Sequence, residues 1–195
     1  MYQVVGNTNT RTFRVLWAMH EMGLEFEHIA AHAQSDEVRA VNPSGKVPAL
    51  IVDGTPIVDS TAILTYLADK HGQLTYPAGT IERAQQDSLT HFILDEFDAV
   101  IWTAARNTFV LPADKRVPEI KETLRWEFAR SIKLIEGRMS DGPNLMGEKF
   151  TIPDIILTQI GGWARVAKFD VPDGKLKDYF RRQIKRPAYI KASAS

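Results

Sequence analysis

The sequence predicts a mixed α/β domain over residues 1–73, a linker over 74–80 and an all-helical domain over 81–195. In the first part, short apolar runs bounded by turn residues alternate with stretches of helical periodicity. Pro77 and Gly79 interrupt both patterns in the linker. Beyond them the apolar residues recur at helical spacing, and this change of period separates the two predicted domains.

In the first domain, Gly23 ends the first helix and Asp53-Gly54 is a hairpin signal between two strands. The predicted elements are a strand at 2–6, a helix at 11–22, a strand at 26–30, a brief helix at 35–41, strands at 49–52 and 57–58, and a helix at 60–70. The order βαβ, α, ββα is that of a thioredoxin-like domain.

In the second domain, apolar spacing predicts helices over 81–106, over 118–139 and from residue 152 onward. The last helix begins at Thr151-Ile152-Pro153-Asp154, where the hydroxyl and the carboxylate form a capping box and proline fits the first turn. Substituting Thr151 should cost about 1 kcal/mol and impair folding before chemistry. Gly161-Gly162 indicates close helix packing.

The composition limits the function classes. Lys plus Arg and Asp plus Glu each total 24, so neither nucleic acid nor an anionic membrane is an expected partner. No apolar run approaches about 18 residues and no signal segment is visible, so a cytoplasmic location is expected. The absence of cysteine excludes dithiol exchange and thiolate metal sites.

No metal cofactor is expected. The histidines are scattered, and His28 and His32 form the one close pair. In a strand these two residues would lie about 13 Å apart, too far to share an ion.

Two motifs predict a small-molecule site. In Asn42-Pro43-Ser44-Gly45-Lys46-Val47-Pro48, the second proline cannot donate to a strand ladder, so Val47 offers its own N–H and C=O to a ligand. Asp59-Ser60 follows at a helix start, where we expect N–H groups to face an anionic group. The pair fits a peptide-like ligand with a charged end.

At these residues the chain resembles the glutathione transferase family. The resemblance covers nearly the whole length of the chain. The resemblance implies glutathione as co-substrate, a cis bond before Pro48, backbone pairing of Val47 with the cysteinyl residue, and binding of the γ-glutamyl end by Asp59 and Ser60. Lys46 either pairs with the glycine carboxylate or is a solvated surface lysine, and Gln34 is a candidate of the same kind.

The loop over residues 7–10 is the candidate thiol-activating site. A thiol pKa is about 8.5, and lowering it by two units requires about 2.7 kcal/mol of preferential stabilisation of the anion. The family usually places Ser, Tyr or Cys in this loop, and this chain has none of them there. Asn9 and Thr10 are therefore the candidate catalytic residues, although Thr10 could instead cap the helix that opens at Arg11. Tyr2 is interpreted as structural.

The resemblance implies a transferase in which the glutathione thiolate attacks a small hydrophobic electrophile, in the manner of detoxification enzymes. Trp102, Arg106 and Phe109 are candidates for the electrophile pocket, with core packing as the alternative for the aromatic side chains. The rival function is a glutathione-binding stress or interaction module with little transferase activity.

The resemblance also implies a two-fold homodimer. Its interface would contain the helices over 81–106 and 118–139, beside the first domain of the other chain. Ala99 and Trp126 extend the apolar surface of these helices beyond one stripe, which indicates a need for further cover. Burial of the excess within the chain is the alternative.

Overall fold

The computed structural model describes all 195 residues, which form two compact units. The first unit comprises residues 1–80 together with 184–195, and the second comprises residues 81–183. The α/β and all-α classes expected from the sequence are confirmed. The C-terminal segment, which the sequence assigned to the helical domain, lies in the first unit.

The sheet of the first unit has the strand order β2-β1-β3-β4. Its strands are β1 (Tyr2–Val5), β2 (Glu27–Ile29), β3 (Ala49–Val52) and β4 (Thr55–Val58). β1 runs parallel to β2 and antiparallel to β3, and β3 pairs antiparallel with β4. A parallel pair needs a crossover connection, which the first helix provides. The arrangement is thioredoxin-like, as predicted.

The hairpin between β3 and β4 forms at the predicted Asp-Gly pair. Asp53 and Gly54 have φ values of 49° and 85°, and positive φ at both positions is what a type I′ turn requires. β4 begins earlier than predicted because it includes Pro56. β4 is an edge strand, where a residue without an N–H is tolerated.

The α-helices in chain order are α1 (Thr12–Glu21), α2 (Asp36–Val41), α3 (Ser60–His71), α4 (Ile81–Ile93), α5 (Ala99–Ala105), α6 (Ile120–Glu136), α7 (Ile152–Val166), α8 (Lys175–Gln183) and α9 (Pro187–Ser193). A 3₁₀ turn covers Ala113–Lys115. None of the helices combines the length and apolar character that crossing a bilayer demands.

α9 packs on α1 within the first unit. The Tyr189 ring meets Phe13 and Trp17 edge-on, with centroid distances of 5.0 and 4.9 Å. Arg186 donates to both carboxylate oxygens of Glu21 at 2.6 and 2.9 Å, and the Trp17 indole donates to the same carboxylate at 2.8 Å. Aromatic packing and a two-point ion pair thus hold the C-terminal segment on the first helix.

The helix predicted over 81–106 is interrupted. π-helical turns cover Leu94–Asp98 and Arg106–Val110, one on each side of α5. In the first turn the Ala99 N–H bonds to the Leu94 carbonyl, five residues back. A π turn inserts one residue without ending the helix, so apolar spacing did not predict it.

The capping box predicted at the start of α7 is present. Asp154 is fully buried. One of its oxygens accepts the N–H and hydroxyl of Thr151 at 2.8 and 3.0 Å. The other accepts the Leu145 N–H at 2.8 Å and the Tyr179 hydroxyl at 2.9 Å. Burial raises the pKa of Asp154, and these hydrogen bonds oppose the rise.

Close helix packing, predicted for Gly161-Gly162, holds only at the first glycine. A Cβ on Gly161 would lie 2.8 Å from the Phe180 ring, whereas one on Gly162 would meet nothing within 4 Å. The first glycine therefore lets α7 and α8 approach, and the second has no such role.

Candidate functional site

The register of the sheet brings three segments to one end. Val5 pairs with Ala49, and Ala49 pairs with Val58. These three residues lie side by side, and we name them the site edge. The loop over residues 7–10 leaves this edge after β1, the proline motif enters it before β3, and α3 begins just beyond it after β4.

The Val47–Pro48 peptide bond is cis, as the resemblance implied. Val47 is half-buried, and its N–H and C=O take part in none of the backbone hydrogen bonds of the turns and loops. The buried Asn42 shapes the turn before it: its amide donates to the Lys46 carbonyl at 2.8 Å, and its oxygen accepts the Ser44 N–H at 3.2 Å. The backbone of Val47 is therefore held in place and open to a ligand.

Lys46 and Gln34 differ in whether the polar group of the side chain is already bonded within the chain. Lys46 is exposed and has no carboxylate partner within the chain. The Gln34 amide donates to the Ser44 carbonyl at 3.1 Å and accepts from Arg39. Gln34 is thus engaged in holding its own loop, whereas the Lys46 ammonium is open to an anion.

Asp59 caps α3 from a backbone conformation with a positive φ of 74°. One carboxylate oxygen accepts the N–H groups of Thr61 and Ala62 at 2.9 and 3.1 Å. Asp59 itself therefore satisfies two of the N–H groups that were expected to face a ligand. Its second oxygen takes part in neither of these hydrogen bonds. Ser60, 3% exposed, accepts a long hydrogen bond of 3.4 Å from the buried Arg14.

In the loop over residues 7–10, the Thr10 hydroxyl makes its contacts within the chain. Its Oγ1 lies 2.7 Å from the Asn7 carbonyl and 2.9 Å from Thr12 Oγ1, and accepts the Thr12 N–H at 3.1 Å. Thr10 therefore supports the first turn of α1, as in the capping alternative. Asn9 is exposed and its amide makes no hydrogen bond within the chain.

Two histidines contact this loop and the glycine before it. His28 Nε2 lies 2.8 Å from the Gly6 carbonyl, and His32 Nδ1 lies 2.9 Å from the Asn7 amide nitrogen. Neither belongs to a group of three or more metal-type ligands. Their contacts follow from the pairing of β2 with β1, so no local pattern could have revealed them.

Gly6 allows the loop to approach both neighbouring segments. Its φ is 131°, and a Cβ at this position would lie 2.2 Å from Thr12 Oγ1 and 2.8 Å from Val47 Cβ. The start of α1 and the residue before the cis proline therefore meet at this glycine. A glycine directly after an apolar strand was the one sequence signal for this approach.

The helical unit contains the three side chains predicted for an electrophile pocket. Trp102 is half-buried in α5, Arg106 donates to Thr103 Oγ1 at 3.1 Å, and Phe109 is 67% exposed. A groove of about 260 Å³ in this unit does not include them. It is lined by Asp95, Glu96, Ala99, Val100, Thr103, Leu124, Glu127 and Arg130.

Comparison with known proteins agrees with this geometry. Residues 11–70 match the family model described as the glutathione S-transferase N-terminal domain. A probable glutathione S-transferase of Nicotiana tabacum is 31% identical over 159 residues, covering 80% of this chain and 67% of the relative.

Two solved structures show the same fold over both units. A glutathione transferase from Methylococcus capsulatus str. Bath has a TM-score of 0.83 at 25% identity, over 100% of this chain and 98% of the other. The glutathione transferase URE2P6 of Phanerochaete chrysosporium, in complex with oxidized glutathione, has a TM-score of 0.83 at 24% identity, over 99% and 94%. The chain therefore belongs to the glutathione transferase family of enzymes.

Proposed function

We propose that this chain catalyses attack by the glutathione thiolate on a small hydrophobic electrophile. The single observation that carries the proposal is the convergence of three segments at the site edge. A tripeptide offers a cysteinyl backbone, a charged γ-glutamyl end and a thiol, and each segment suits one of them. The chain has no cysteine, so the sulfur nucleophile comes from glutathione, and the reaction needs no covalent enzyme intermediate.

Val47 pairs with the cysteinyl residue of glutathione in the manner of an added strand. Its N–H and C=O are unused in the turns of the chain, which is what such pairing requires. Lys46, next to it, places a positive charge within reach of the glycine carboxylate. Together they bind one half of the tripeptide.

Asp59 and Ser60 bind the γ-glutamyl end. The free oxygen of Asp59 accepts from the γ-glutamyl ammonium, and the Ser60 hydroxyl donates to its carboxylate. Arg14, fully buried next to Ser60, adds a positive charge where poor solvent screening strengthens its attraction for that carboxylate.

The sulfur is stabilised by a donor from the loop over residues 7–10. Thr10 offers a hydroxyl and Asn9 an amide, and a donor to an anion lowers the pKa of the thiol. The fungal neighbour bound to oxidized glutathione supports a glutathione site in this fold.

For the electrophile, the candidates remain Trp102, Arg106 and Phe109. The exposed Phe109 ring is open to an apolar ligand. Replacing it with alanine should raise the KM for an aromatic electrophile and leave the KM for glutathione unchanged.

The second candidate function is a glutathione-binding module with little transferase activity. It is favoured by the contact of the Thr10 hydroxyl with the Asn7 carbonyl, which leaves no proton for a sulfur unless the carbonyl shares it. Steady-state turnover of an aromatic electrophile, measured beside calorimetric titration with glutathione, separates the two functions. Turnover with binding supports the transferase, and binding without turnover supports the module.

We also propose a two-fold homodimer through the region from α4 to α6, beside the first unit of the other chain. Trp126 on α6 is 64% exposed and Leu134 is 47% exposed, so apolar surface is available for cover by a second copy. Light scattering tests this. A mass near 21.9 kDa rejects the dimer, whereas twice that mass, reduced by Trp126→Glu, supports it.

A further inference from the structure

Thr12, the first residue of α1, carries a fully buried hydroxyl directly beside the candidate sulfur donor. Its side chain has no exposure to solvent, and its Oγ1 lies 2.9 Å from Thr10 Oγ1. That oxygen is the one hydrogen-bond partner of the Thr12 hydroxyl. Since glutathione cannot reach a side chain buried to this degree, Thr12 can act on the ligand only through Thr10.

Counting protons fixes the direction of the hydrogen bonds. Each hydroxyl has one proton, and Thr10 Oγ1 has two oxygens within reach: the Asn7 carbonyl at 2.7 Å and Thr12 Oγ1 at 2.9 Å. If Thr10 donated to Thr12, the buried Thr12 proton would have no acceptor, at an energetic cost. The arrangement that satisfies both hydroxyls runs from Thr12 to Thr10 to the Asn7 carbonyl.

In this arrangement Thr10 Oγ1 has no acceptor capacity left. It accepts the Thr12 hydroxyl and also the Thr12 backbone N–H at 3.1 Å, which fills both of its lone pairs. Thr10 can therefore meet a ligand only with its proton. Accepting two hydrogen bonds also polarises the hydroxyl and strengthens it as a donor.

The Asn7 carbonyl can share this proton at low cost. It also accepts the Thr10 backbone N–H at 3.1 Å, so it keeps a hydrogen bond of its own when the proton is shared. Because Thr12 donors occupy both lone pairs of Thr10 Oγ1, the hydroxyl is held in one direction, and an anion beside the Asn7 carbonyl meets its proton in a three-centre hydrogen bond.

We propose that Thr12 is a positioning residue of the active site, whose hydroxyl donates to Thr10 and thereby directs the Thr10 proton to the glutathione sulfur. This inference rests on the proposed function. It assigns the sulfur contact to Thr10 and leaves Asn9, whose amide no second group orients, without that role.

The test is titration of bound glutathione by its ultraviolet thiolate absorbance, on the whole protein. Thr12→Val keeps the shape and removes the hydroxyl. We expect it to raise the pKa of the bound thiol by about half a unit to one unit, the equivalent of one hydrogen bond. Below that pKa, kcat/KM should fall about three- to tenfold and should approach the unsubstituted value at high pH. The KM for glutathione should change less than about twofold, because the backbone and γ-glutamyl contacts remain.

Three further variants make the test specific. Thr12→Ser restores the hydroxyl and should restore the titration, which loss of packing alone would not allow. Asn9→Ala, which removes the rival donor, should shift the titration less than Thr10→Val does. Thr10→Val and the double variant Thr10→Val with Thr12→Val should titrate alike, because Thr12 acts only through Thr10.

An unchanged titration in Thr12→Val overturns the inference, as do additive effects in the double variant or a shift in Asn9→Ala as large as that in Thr10→Val. If the unsubstituted protein binds no glutathione, or binds it without forming a thiolate, the proposed function fails and the inference fails with it. The variants and the unsubstituted protein thus report the two failures separately.

Discussion

Asp59 and Asp154 have the same local role at the start of two helices, in contrasting surroundings. Asp59 is exposed and uses one oxygen to accept two N–H groups of α3. Asp154 is fully buried, and donors from Thr151, Leu145 and Tyr179 occupy both of its oxygens.

The two residues differ in how much hydrogen-bonding capacity each carboxylate has left after it caps its helix. An ionised carboxylate can accept about four hydrogen bonds. Asp154 has used this capacity, so it can recognise nothing further and serves the fold. Asp59 keeps one oxygen without a hydrogen bond next to the site edge, and the proposed function uses that oxygen to bind the γ-glutamyl end of glutathione.

The largest expected effect comes from Asp154→Ala. The change leaves buried donors without an acceptor, each at about 1–3 kcal/mol, so the free energy of unfolding in urea should fall by at least about 3 kcal/mol. The matched control is Asp59→Ala, for which loss of an exposed cap should cost about 1 kcal/mol. Equal losses in the two variants would contradict the contrast between the caps.

A second effect should appear in glutathione binding by variants that remain folded. Asp59→Ala and Ser60→Ala each remove a contact to the charged γ-glutamyl end, so glutathione affinity should fall about 10- to 150-fold, equivalent to about 1.5–3 kcal/mol. Calorimetry measures this, with circular dichroism to confirm that helicity is retained. Asp36→Ala, at an exposed acidic residue in the first turn of α2, is the control and should bind normally. Normal binding by both folded variants would rule out this assignment.

The smallest effect concerns Glu96. Its side chain is more buried than that of Asp59 and more exposed than that of Asp154. Ser131 and Arg130 donate to its Oε2 at 2.7 and 2.6 Å and lower its pKa from the ordinary value of 4.5. A lowered pKa means that this stabilisation is complete above pH 4.5 and is lost as the pH falls through the folded-state value. Glu96→Gln should therefore reduce stability by less than about 1 kcal/mol at pH 7 and weaken its acid dependence. Urea unfolding across this pH range measures the difference, and parallel pH curves for the two proteins would refute the assignment.

Features encoded within a few residues were predictable. The Asp53-Gly54 turn, the capping box at Thr151 and the proline motif each depend on near neighbours, and each is found where the sequence indicates. Two N–H groups of α3 that were assigned to a ligand are instead satisfied by Asp59, because the sequence shows a carboxylate at a helix start but not which donors it accepts from. The π turns escaped detection because one added residue scarcely alters an apolar pattern.

The sequence by itself therefore determined the fold class, the order of the elements and the segments that carry the candidate site. Only the tertiary structure decided which side chains meet there. Arg186 binds Glu21 across 165 positions of the chain, and His28 reaches the loop because β2 pairs with β1. Such contacts depend on strand register and on packing between distant segments, whereas local propensity is set by neighbours along the chain.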